Sequence, residues 1–275
     1  MVFKIAAGLA LSMAVAAQPV SAQKILLQIK PHVGDTIKMH LTQTIEMTGT
    51  PWSAGFDSAR KLTASTEVFS RAVPYQWTAG GTLIHAITDS MTSSAVPQSG
   101  SPAKVRRVPP PAPAVLRVAS DGAIEVVDDG DAASEIKHIF AEMPSMLPRQ
   151  PVAVGERWKK EMRIPLAGDP GSEGTVKATL QFDSLSKNEQ VAFISIRGSI
   201  SRVTADRRVA PSSYQTSGTF TGTMRIDRAL GWITDAKSVI SVRAEIADER
   251  PSQRKVAKPL EVQTKISVWT RAVKQ

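Results

Sequence analysis

Four histidines, His32, His40, His85 and His138, are the first residues to weigh as metal ligands or bases, and their spacing gives them neither role. No two stand at i, i+4 as on a zinc-binding helix, and the chain has no cysteine to complete a site. His40 falls on the polar side of its segment. His85 shares a phase with Leu83 and Ile87, so it is expected to be a buried, hydrogen-bonded core residue. Ser-x-x-Lys matches such as Ser58 to Lys61 and Ser184 to Lys187 need a helical turn to bring both groups to one face, whereas in a strand residues three apart point to opposite sides. The Asp128-Asp129-Gly130-Asp131 cluster lacks the distal glutamate of a calcium loop and reads as a turn leading into a helix cap. There is no Gly-x-Ser-x-Gly elbow, phosphate loop or dinucleotide fingerprint. The expectation is a non-enzymatic protein with no catalytic, cofactor-binding or metal-binding residues and no cofactor.

One hydrolytic alternative stays open. Glu156, Glu161 and Asp183 could act on an envelope glycan or ester if the fold brought two of them within about 5–10 Å. They lie on the wet sides of their strands, which argues against that convergence.

Contact residues are easier to nominate. Residues 23–130 carry 10 Lys and Arg against 9 Asp and Glu, whereas residues 151–275 carry 21 against 13, a balance of +8. The positive field of the second half would attract anionic lipid, lipopolysaccharide or an acidic face of an envelope protein. Arg207 and Arg208 form an adjacent basic pair within it, in what reads as a loop, and are the candidate contact. Trp269 lies opposite Val262, Ile266 and Val268 on its strand and is the aromatic candidate for a lipid or partner contact. Nothing points to nucleic acid.

The compartment follows from the first 22 residues. Met1 to Lys4 give a basic start, Ile5 to Ala17 an apolar run, and Val20-Ser21-Ala22 a small-residue cleavage pattern, so residues 1–22 read as a signal peptide and the mature chain as starting at Gln23. The run is shorter than the roughly 20 apolar residues of a membrane span, and no span remains after cleavage. Absence of cysteine removes disulfides and the acylated cysteine of a lipoprotein. A periplasmic or extracellular protein of a bacterial envelope is expected.

The elements that must position these residues are mostly strands. From Tyr214 to Ile226 the even positions are apolar or small while the odd ones are polar, and the same period of two marks Val176–Phe182, Leu260–Val268 and Ile37–Met47. One-sided strands of this kind belong to antiparallel sheets with one wet face. The fold class expected is mainly β: long antiparallel strands in two related curved sheets, half-barrel or sandwich-like, with one short connecting helix. Val33-Gly34-Asp35 before Ile37, Met39, Leu41 matches Val154-Gly155-Glu156 before Trp158, Lys160, Met162, which suggests an internal duplication. Residues 23–130 form the first half, with a Pro- and Ser-rich mobile insertion at 93–113; residues 131–147 form a helix and connector carrying Ile136, Phe140 and Met143; residues 148–275 form the second half.

The stretch Leu147-Pro148-Arg149-Gln150-Pro151-Val152-Ala153-Val154-Gly155-Glu156-Arg157-Trp158, followed by long strands and a hairpin around Gly231, resembles the mid-chain signature of secreted bacterial proteins of unknown function built from two related β-rich halves. More distantly, the architecture is similar to periplasmic lipoprotein-carrier and sensor half-barrels. That resemblance implies an apolar concavity and assigns no individual residue. The expected function is binding of an amphiphile or a protein partner in or between curved sheets, with Met39, Leu41, Phe182, Ile194 and Phe220 lining the apolar site.

Overall fold

The computed structural model describes residues 23–49, 60–97, 104–128, 145–165, 173–202, 212–248 and 260–274. Among them are twelve strands and no helix: β1 Ile37–Gly49, β2 Arg60–Thr78, β3 Gly81–Pro97, β4 Lys104–Val108, β5 Ala114–Val118, β6 Ile124–Asp128, β7 Arg157–Pro165, β8 Glu173–Leu185, β9 Val191–Arg202, β10 Ser212–Asp227, β11 Trp232–Asp248 and β12 Leu260–Lys274. All pair antiparallel in one sheet of order β6-β5-β3-β2-β1-β12-β11-β10-β9-β8-β7, with β4 also on β3.

A single sheet replaces the two that the sequence suggested. β1 and β12 pair from Ile37↔Lys274 to Gly49↔Val262, which fuses the first and last strands into the middle of the wall. The physical gain is that two long strand edges, each a row of unpaired N–H and C=O groups, satisfy each other. The helix expected around Ile136, Phe140 and Met143 lies outside the described residues, as do residues 1–22, where a signal peptide is expected. Residues 145–147, at the end of the expected connector, are irregular. Part of the stretch read as a mobile insertion is strand, since β3 runs on to Pro97 and β4 pairs with Met91–Ala95. Pro109-Pro110-Pro111, which lack amide donors, separate β4 from β5, so β3 takes one partner along each half of its length.

The sheet is rolled. Laid flat, its eleven-strand path would span about 48 Å at about 4.8 Å per step. Yet Ile25 exchanges both backbone hydrogen bonds with Val152, just before β7, while Ile29 N donates to Ser120 O in the β5–β6 turn. Four residues reach at most about 14 Å. The two edges must therefore approach each other at this end. They do not pair directly; residues 145–149 fill the seam, with Leu147 N donating to Asp121 O at 3.0 Å, Arg149 Nε donating to the Asp121 carboxylate at 3.2 Å, and Trp158 Nε1 donating to Met146 O at 2.8 Å.

Residues 25–30 act as a strap across that end. Ile25, Leu27 and Ile29 are buried while Leu26, Gln28 and Lys30 face out, a strand-like alternation. The strap's last bond runs from Lys30 N to Gly231 O at 2.9 Å. Gly231 has φ 65°, and a Cβ there would lie 2.1 Å from Lys30 O, so only glycine fits beneath the strap. Turns of the same build precede β1 and β7. Gly34 N donates to Pro74 O and Asp35 N to His32 O; Gly155 N donates to Phe182 O and Glu156 N to Ala153 O.

Candidate binding face

Cross-strand register decides which side chains share a face, because directly paired residues point the same way. One inward rung runs Lys160, Ala178, Gly198, Phe220, Ile240, Ile266, Ile45, Ala64, Ala95 from β7 to β3. The next rung toward the strap runs Trp158, Leu180, Ile196, Gly222, Ser238, Val268, Gln43, Thr66, Ser93. The third carries Phe182, Ile194, Met224, Ala236, Thr270, Leu41, Val68, Met91.

These rungs are packed unevenly. On β8 and β9 the inward side chains Val176, Leu180, Phe182, Ile194 and Ile200 are fully buried in one cluster with Leu27, Ile37 and Leu147. A Cβ on Gly198, Gly218 or Gly222 would lie 2.9, 2.4 or 2.7 Å from a carbonyl of the neighbouring strand, so these glycines let the backbone close over its inner face. On β1–β3 the inward Leu41, Ile45, Val68 and Met91 are only half-buried, and farther from the strap Met47 and Leu62 are 37% and 43% exposed. The polar rung Ser238, Gln43, Thr66, Ser93 is also half-buried, and among the described residues these side chains make no hydrogen bond. Lys160, on the same wall, is half-buried and donates to Ser145 Oγ at 2.7 Å.

Met39, Leu41, Phe182, Ile194 and Phe220 thus share one face. Phe182 and Ile194 are spent in the packed half, whereas Met39, Leu41 and Phe220 stay partly accessible. Sequence reasoning passed over Lys160, although the signal was present: the match between Gly34 and Gly155 puts Lys160 in the phase of Met39, a lone charge in an apolar series.

Trp269 sits on the other side of the wall. Its Nε1 donates to Asp235 Oδ2 at 3.2 Å, and Lys237 and Arg271 lie 5.2 and 4.8 Å from its ring. Two cations over the indole make it part of the outer wall's own packing. Beside it, His40 stacks on Phe69 at 4.3 Å and bonds Glu67 at 2.7 Å, which keeps His40 on the polar face as its phase required. His85 corrects an expectation: it is exposed and stacks on Tyr75 at 4.2 Å, while Ile84 is buried. β3 is apolar on both faces from Leu83 to Ile87, so period alone gave no inner side. Arg207 and Arg208 lie outside the described residues.

Of the three carboxylates weighed for hydrolysis, two have local partners. Glu156 accepts from Ala153 N at 3.0 Å and Asp183 from Ser195 Oγ at 3.0 Å. No group of three metal-ligating side chains occurs among the described residues.

Outside the strap, a groove of about 640 Å³ is lined by Leu26, Lys30, Trp77 and Arg228 among others. Trp77 is 56% exposed, and Lys30 Nζ lies 4.8 Å from its ring.

A family model described as Family of unknown function (DUF6263) matches residues 123–233, from the β5–β6 turn into β11. No curated protein matches the chain. Among solved structures, the COG4313 outer membrane channel from Pseudomonas putida F1 aligns over 94% of this chain and 100% of its own, at 10% identity and a TM-score of 0.25.

Proposed function

We propose that this chain is a non-enzymatic envelope protein that holds the alkyl part of an amphiphile against the inner wall of its rolled sheet. The observation that carries the reading is the uneven packing of that wall. One half is a closed core, and the other leaves Leu41, Ile45, Val68 and Met91 half-exposed beside an unbonded polar rung. An apolar face with a few convergent polar groups is what a small-molecule site requires.

The outer wall supports a water-facing body. Mid-strand outward positions include Glu46, Arg71, Lys177, Arg197, Lys237 and Lys265, the reverse of a membrane-spanning barrel, where a charge on the lipid face costs about 2–4 kcal/mol for Arg or Lys at mid-depth. Secretion is supported by the signal-like residues 1–22, and an anionic lipid or lipopolysaccharide surface as companion by the +8 balance of residues 151–275. Internal duplication is supported by the like turns at Gly34 and Gly155.

A brominated alkyl chain tests the reading through tryptophan. Bromine quenches at short range, so titration should quench Trp158, which faces inward, and spare Trp269, read in single-tryptophan variants. Equal quenching of both, or none, would count against an interior site.

A further inference from the structure

We infer that Lys160 and Ser145 recognise the carboxylate of a single-chain anionic amphiphile, a refinement that rests on the inner-wall reading above. Lys160 is the charge on a rung otherwise made of Ala178, Gly198, Phe220 and aliphatic side chains, directly paired with the buried Ala178. Its recorded partner is the neutral Ser145 Oγ at 2.7 Å, and no carboxylate pairs with it among the described residues. An inward ammonium beside an apolar wall, with a neutral partner, is half of an ion pair in a setting where charge-assisted bonds gain strength.

The donor set selects the head group. Lys160 keeps ammonium protons beyond the one given to Ser145, and the Ser145 hydroxyl accepts that proton while its own O–H is free to donate. Two donors 2.7 Å apart match the two oxygens of one carboxylate. A phosphate, with more acceptor oxygens, is better served by the planar fork of arginine or by several cations. The alkyl tail would then leave the closed β8–β9 half past the half-buried Phe220 and lie on Ile240, Ile266 and Ile45 farther along the same rung.

Edge strands often carry inward charges to block association with other sheets, and β7 is an edge. The two roles separate cleanly in one experiment. The mature chain is titrated with hexadecanoic acid and with hexadecan-1-ol, which share a tail and differ in head group. The wild type should bind the acid about ten- to a hundredfold more tightly, the range of a charged hydrogen bond. Lys160→Met should abolish that preference while leaving alcohol affinity unchanged, and Lys160→Arg should restore part of it; Lys160→Gln serves as a polar neutral variant should Met perturb folding. A Lys160→Met or Lys160→Gln protein that keeps the preference, or that only self-associates more, would overturn the inference, as would a wild type that binds both lipids equally. Failure of both lipids to bind would defeat the inner-wall reading itself.

Discussion

Replacing Phe182 with alanine should lower the unfolding free energy by about 3–5 kcal/mol, while Met47→Ala should change it by about 0.5 kcal/mol or less. Both residues belong to inward rows of the same sheet. Phe182 has no exposed surface and sits in the cluster that joins β8, β9 and the strap, so its removal leaves a cavity that close-packed neighbours fill only in part. Met47 lies near the far end of β1 and is already in contact with solvent. Urea unfolding of the two variants with unchanged slopes would measure the contrast. Similar costs at the two positions would mean that the wall is packed evenly and has no spare apolar face.

Gly231→Ala should cost about 2–3 kcal/mol and release the strap. The residue's positive φ is worth about 1 kcal/mol against an L side chain, and the new methyl meets Lys30 O, so the Lys30–Gly231 hydrogen bond is lost as well. Gly34→Ala is the control, because its φ is also positive but nothing lies within 4 Å of its Cβ position. It should cost only the conformational part. Hydrogen exchange locates the effect: in Gly231→Ala the amides of Ile25, Ile29 and Lys30 should lose protection, while those of β8 and β9 keep it. Protection unchanged at Ile29 would show that the strap is held elsewhere.

Period-two alternation was enough to read most strands and their buried sides. Val176–Phe182 and Ile37–Met47 face inward on the residues their phase selected, and His40 faces out. Long-range closure was illegible, because nothing local in Ile37–Gly49 says that its partner is Leu260–Lys274 more than two hundred residues later. For the same reason one sheet was read as two. β3 failed locally: apolar residues on both faces made Leu83, His85 and Ile87 look buried, and bulges at Phe69/Ser70 and Pro74/Gln76 shift the pairing on β2. Lys160 was readable as an inward charge once the two Val-Gly-acid turns were aligned, but its partner Ser145 required the seam. Trp269 was correctly set apart from its apolar neighbours, and only the structure shows the Asp235, Lys237 and Arg271 that occupy it.

Because the chain has no cysteine, single-cysteine footprinting tests the inner-wall claim most directly. Thr44 and Ile45 are adjacent on β1, half-buried, and point to opposite faces of the sheet. Saturating Thr44→Cys and Ile45→Cys proteins with hexadecanoic acid and following modification by a charged maleimide should slow the reaction at Ile45→Cys and leave Thr44→Cys unchanged. Equal rates with and without lipid at both positions, or protection at Thr44→Cys alone, would contradict binding on the inner wall.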